Sequence, residues 1–104
     1  MTNSIKWLRL KKICSELLDN KYAVQLHGST MLSDEIRAAV TVKDNTVDIA
    51  INLSYVKSLD EVIAALSHEV THILLQSDDD NHSEFNKVWK NTEKEVIKKY
   101  NNKK

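Results

Sequence analysis

Apolar residues recur at helical spacing through the first segment of the chain, about Asn3 to Asp19. Ile5, Leu8, Leu10, Ile13, Cys14, Leu17 and Leu18 alternate there with Lys11, Lys12 and Glu16. The spacing predicts an amphipathic helix with one buried stripe. After Asn20 and Lys21 the period shortens: Tyr22, Val24 and Leu26 alternate with Ala23, Gln25 and His27, which predicts a short strand ending at Gly28. Ile36 to Val42 and Val47 to Leu53 alternate again, and the turn formers Lys43, Asp44, Asn45 and Thr46 between them predict a β-hairpin. In its second run Val47, Ile49, Ile51 and Leu53 share a core face, while Asp48, Ala50 and Asn52 share a partly wet one.

Ser58-Leu59-Asp60-Glu61 has the form of a capping box, in which the serine hydroxyl and the glutamate side chain each bond the other residue's backbone N–H. A helix is therefore predicted to start here and run to about Gln76. Leu59, Val62, Ile63, Leu66, Val70 and Ile73 form its apolar stripe. From Val62 to Leu75 the only charged residue is Glu69, and the face away from the stripe holds Ala64, Ala65, His68, His72 and Leu75. Such a helix has no ordinary solvated side, so its second face is expected to line something other than bulk water. After a polar loop, Ser77 to Asn81, a last helix carries Phe85, Val88, Trp89, Val96 and Tyr100 as its stripe, with Asn81 and Glu84 as its N-terminal cap. These elements predict a single α+β domain over 1–104: a helix, a small sheet with a hairpin, a central helix and a C-terminal helix.

Composition agrees with that picture and narrows the partners. At 104 residues, 41% hydrophobic and 29% charged, the chain has the size and composition of one globular unit. Its 15 basic and 15 acidic side chains cancel, which removes bulk charge as a driver toward nucleic acid or an anionic membrane. Cys14 is the only cysteine, so neither an internal disulfide nor a cysteine zinc ribbon is possible. Lys6, Arg9, Lys11 and Lys12 interrupt the N-terminal segment and leave no apolar run for a leader or a span. A cytoplasmic location is expected.

The chemistry lies in His68-Glu69-Val70-Thr71-His72, an H-E-x-x-H pattern. Residues four apart on a helix project from one face, so two imidazoles can converge on one tetrahedral Zn²⁺. Glu69 sits beside them without displacing a ligand, placed to take a proton from a zinc-bound water as that water attacks a peptide carbonyl. The bare pattern arises by chance in roughly one shuffled sequence in a hundred, so its context decides. Here it lies in register on a capped helix, on a face without solvating charge, where a pair of merely structural histidines would lack polar partners.

A catalytic zinc has three protein ligands and one open position. His82 is the leading third candidate. The metzincin pattern is excluded because Leu75 and Asp78 stand where it requires glycine and histidine. A glutamate from the last helix, Glu84, Glu93 or Glu95, is the alternative. Other polar residues read as structural: His27 as a surface or loop histidine, Asp78 to Asp80 as a solvated turn, Trp7, Phe85 and Trp89 as core, and Tyr55 as packing with a possible donor role toward an oxyanion.

From Ile49 to Trp89 the sequence resembles the SprT-like and WLM-type zinc peptidase domains. The resemblance rests on the strand running into Ile51-Asn52-Leu53-Ser54, on His68-Glu69-Val70-Thr71-His72, and on Asn81-His82-Ser83-Glu84-Phe85. In that family a third histidine, followed at the third position by a phenylalanine, completes the metal site, and His82 with Phe85 matches. The resemblance implies a small antiparallel sheet beside the active-site helix, zinc, and proteolysis, in some members of proteins bound or crosslinked to DNA. The chain lacks the cysteine ribbon and basic extension of the fuller members, so a nucleic-acid connection is expected to be indirect at most. It also looks like the minimal stand-alone gluzincins, whose third ligand is a glutamate.

The expected activity is thus a zinc-dependent metalloendopeptidase acting on a peptide or protein substrate. Two other readings compete: a catalytically weak or inactive metal-binding or interaction module, and a homo-oligomer in which one copy blocks the cleft of another. Glu69 favours the enzyme, since a structural zinc needs no general base and closes its fourth position with protein.

Overall fold

In the computed structural model, which describes residues 5–30, 32, 36–76 and 83–102, the elements follow in the order α1 (Trp7–Leu17), β1 (Ala23–Ser29), β2 (Ala38–Lys43), β3 (Thr46–Asn52), α2 (Leu59–Leu75) and α3 (Ser83–Asn101). This is the α+β arrangement expected. The cap that Asn81 was expected to form lies outside the described residues.

The sheet order is β1-β3-β2. β2 and β3 form the predicted antiparallel hairpin, with Lys43 opposite Thr46 and the left-handed residue Asp44 (φ 54°) in its two-residue turn. β1, however, pairs with β3 in parallel, Val24 opposite Val47 and Leu26 opposite Ile49, so the sheet is mixed and not antiparallel throughout. Burial explains the order. Val47, Ile49 and Ile51 are fully buried and occupy the centre, while Val42 at the hairpin end of β2 is 49% exposed at an edge. Alternation along a strand shows which face is buried but not which strand lies beside it, and for that reason the parallel edge was not foreseen.

α1 packs on β1, and α2 packs on β2 and β3, so both helices cover the apolar face of the sheet. α3 lies against α1 and α2. The chain reverses after α1 through Asp19 and Asn20, both left-handed, and Ala23 N–H donates to the Asn45 carbonyl (2.7 Å), which sets β1 against the hairpin turn. Gly28 has a steric reason: a Cβ there would fall 2.5 Å from Leu53 Cδ1. At the far end Arg9 Nη1 donates to the Tyr100 carbonyl (2.9 Å) and the Lys6 N–H to the Tyr100 hydroxyl (3.1 Å), tying α3 to the start of α1.

Two details of β3 differ from expectation. The strand stops at Asn52, so Leu53 does not continue its core face, and Asn52, expected to be partly wet, is fully buried. Its Nδ2 donates to the Ile36 carbonyl (2.6 Å), its N–H to the Arg37 carbonyl (2.9 Å), and its Oδ1 accepts from the Ser54 N–H (3.0 Å). A buried amide with its groups occupied clamps the entry to β2.

Candidate metal centre

α2 starts where the capping box places it. The Glu61 N–H donates to Ser58 Oγ (3.2 Å), and Glu61 Oε1 accepts from the Ser58 N–H (3.1 Å) and the Lys57 N–H (3.0 Å). Those backbone donors hold the Glu61 carboxyl below its ordinary range, with Arg37 adding a weaker attraction. The helix ends at Gln76, left-handed at φ 51°, whose N–H returns to the carbonyls of His72 and Ile73. From Val62 to Ile73 no residue of α2 is exposed. The second face is covered by α3 and by the start of β2.

On that face His68 and His72 come together, Nε2 to Nε2 at 3.2 Å with ring centroids 4.9 Å apart and the rings inclined at 75°. Phe85, fully buried, packs on both imidazoles at 5.0 and 4.8 Å between centroids. Trp89 meets the His68 ring edge-on at 4.8 Å, and its indole N–H donates to the Ala64 carbonyl (3.0 Å), one turn before His68. Phe85 and Trp89 were expected only as core; Trp89 is in fact half-buried and forms part of the site. Its spacing of four from Phe85 on one stripe was the available signal, but it could not show what the stripe faces.

Beside the pair opens a cleft of about 620 Å³. His68, Glu69, Ala64 and Ala65 of α2 form one wall, Ile36, Arg37 and Ala38 the other, and Trp89 closes an end. Glu69 is therefore half-buried at the same opening as His68. The β2 wall was not anticipated, since nothing in its alternation says that it borders α2.

His82 lies outside the described residues. Among the described residues no group of three or more His, Cys, Asp or Glu that could hold a metal ion is gathered. Glu84 and Glu95 are exposed and Glu93 half-buried. His27 is exposed on β1 and pairs with Asp48 (3.0 Å) on the open face of the sheet, away from the core. Tyr55 does not pack into the core as expected: it is 47% exposed, with the Arg37 guanidinium 5.1 Å above its ring. Cys14 is free and buried, and burial pushes its thiol up to about 12, leaving it unreactive. Among the described residues no helix is long and apolar enough to cross a membrane.

Compared with known proteins, the chain matches no family model, no curated protein and no solved structure.

Proposed function

We propose that this protein is a zinc metallopeptidase, and the observation that carries the reading is the convergence of His72 on His68, which lines a cleft together with Glu69. Two nitrogens on a tetrahedral zinc with bonds of about 2.0–2.1 Å stand roughly 3.4 Å apart, so the observed 3.2 Å between the two Nε2 atoms fits a shared ion. His68 and His72 would hold it through Nε2. Zinc bound there supplies a water acidified to a pKa of about 7 and polarises the substrate carbonyl. Glu69, half-buried at the same opening as His68, would act as the general base toward the attacking water and return the proton to the departing amine. Phe85 and Trp89 exclude water behind the imidazoles and fix the rings in orientation. His82 is proposed as the third ligand: it directly precedes Ser83, the first residue of α3, and Phe85 three positions on packs against both histidines.

The second wall suits a peptide. In the β2–β3 ladder the Arg37 carbonyl accepts from Asn52, which makes residues 37, 39 and 41 the inward-bonding positions and turns the N–H and C=O of Ala38 and Val40 to the edge that no other described strand covers. Ala38 faces the cleft, so an extended substrate can pair with it there. The resemblance to SprT-like and WLM-type domains supports the same reaction, and the single buried cysteine favours a reducing, cytoplasmic setting.

A metal-binding module without turnover is the competing reading, and the same 3.2 Å separation also suits a hydrogen bond between two neutral imidazoles. Metal analysis of protein purified without chelator, with a peptide-library digest, separates them: bound zinc and chelator-sensitive cleavage are expected, and zinc without cleavage would leave the module. His82→Ala should lose zinc as His72→Ala does, while Glu84→Ala, Glu93→Ala and Glu95→Ala retain it. The opposite pattern would transfer the chain to the gluzincin type.

A further inference from the structure

We infer that Arg37 makes this cleft selective for peptides carrying an acidic side chain close to the bond aligned with Glu69, an inference that rests on the peptidase reading of the site. Arg37 and Glu69 face one opening from opposite walls, one on β2 and the other on α2. Arg37 is exposed and therefore reachable by a ligand. It is also held in place. Asn52, fully buried, bonds the carbonyls of both Ile36 and Arg37 (2.6 and 2.9 Å), which fixes the backbone, and the Tyr55 ring supports the guanidinium from below at 5.1 Å. A ring face attracts the guanidinium charge without accepting a conventional hydrogen bond from each N–H, and the arginine fork matches a carboxylate with two parallel hydrogen bonds. Restraint of backbone and side chain removes part of the ordering cost that an arginine otherwise meets on binding.

Glu61 feels Arg37 only weakly, its carboxyl being held chiefly by the Lys57 and Ser58 backbone. Arg37 thus has no committed carboxylate partner among the described residues. The ladder phase supplies the geometry. A peptide paired with Ala38 along this edge of β2 passes Arg37 within one residue of its own pairing position, so a side chain near the scissile bond comes within reach. A carboxylate is favoured over an amide of the same shape by charge, in a site only partly screened by solvent.

The test uses the full chain with zinc and a set of quenched-fluorescent peptides, amidated at the C-terminus, that differ at one position near the cleaved bond: Glu, Gln, Ala or Lys. Wild type should prefer Glu over Gln by about tenfold in kcat/KM, Arg37→Ala should bring that ratio near one, and Arg37→Glu should invert it in favour of Lys. Binding of the same peptides to zinc-loaded Glu69→Gln, followed by anisotropy, should show the same order and weaken as salt rises. A Glu-to-Gln ratio unchanged in both Arg37 variants overturns the inference while leaving the peptidase standing. Arg37-dependent binding without cleavage by wild type overturns the peptidase and keeps the selectivity. A preference seen only with free C-terminal acids would assign Arg37 to a terminal carboxylate and overturn the side-chain assignment.

Discussion

α1 and α2 lie on the apolar face of the same sheet, yet only α1 has a solvated side. Leu8, Lys12 and Glu16 form an exposed line along α1 at intervals of four, opposite buried Leu10, Ile13 and Cys14. α2 has no such line between Val62 and Ile73. In a domain this small most helices keep one face in water, because there is too little chain to cover both. The second face of α2 is instead covered by α3 and the start of β2; of its few polar groups, His68 and Glu69 meet a cleft and His72 packs against His68 and Phe85. Depletion of charge around a short polar constellation is therefore the physical mark of the candidate site, and α1 shows the contrasting case of a helix in the same protein that keeps a charged, exposed line.

The comparison breaks first at Glu69. Glu69→Gln should cut hydrolysis by about 10²- to 10⁴-fold while zinc content stays at the wild-type level, because the role proposed for the side chain is to move a proton and not to hold the metal. His68→Ala and His72→Ala should lose metal and activity together. Retained hydrolysis in Glu69→Gln, measured by peptide digest beside metal analysis, would remove the distinction drawn between the two faces of α2.

Zinc should also stabilise the fold. Free zinc at 100 times its dissociation constant contributes about 2.7 kcal/mol, a rise in melting temperature of roughly 10 °C for a domain of this size. Chelator should reverse the rise in wild type and Glu69→Gln, and have no effect on His72→Ala. A wild-type melting curve indifferent to both would show that two imidazoles and a phenylalanine complete the packing alone.

A third test probes how fully α2 is buried. Ser67 Oγ is buried without a hydrogen-bond partner among the described residues, although Thr71 Oγ1 donates to the Ser67 carbonyl (2.7 Å). An unpaired buried hydroxyl costs about 1–3 kcal/mol, and alanine is the better helix former, so Ser67→Ala should stabilise the protein by about 1 kcal/mol in urea unfolding. A loss of that size would mean that the hydroxyl has a partner in the folded protein.

Much of this was legible in the residues. The capping box located the start of α2, the H-E-x-x-H spacing placed two imidazoles on one face, and the alternation of Val47, Ile49 and Ile51 identified the core face of β3. The parallel pairing of β1 was not legible, because one-sided alternation is the same whichever neighbour a strand takes. Neither was the cleft's second wall. Arg37 and Asn52 look like solvated positions of a hairpin, and only the fold brings one to the cleft and buries the other. Trp89 shows the same limit: an apolar stripe predicts burial, and the partner it is buried against comes from tertiary packing.

The smallest expected effect lies on α1 and has a sign that can be worked out. Leu8 is 80% exposed, so replacing it removes almost no buried area, and leucine, lysine and glutamate differ little in helix propensity. What remains is charge. Lys12 stands four residues on, on the same exposed line. Leu8→Lys sets like charges at that spacing and should cost a few tenths of a kcal/mol, whereas Leu8→Glu places an acid N-terminal to a lysine, the favourable orientation, and should gain about as much. Both effects should vanish in high salt, where the screening length falls to about 3 Å at 1 M. Urea unfolding of the two variants at low and high salt checks the sign. A loss above about 1 kcal/mol in both, insensitive to salt, would show that Leu8 is covered in solution, and α1 would no longer stand as the helix with a solvated side.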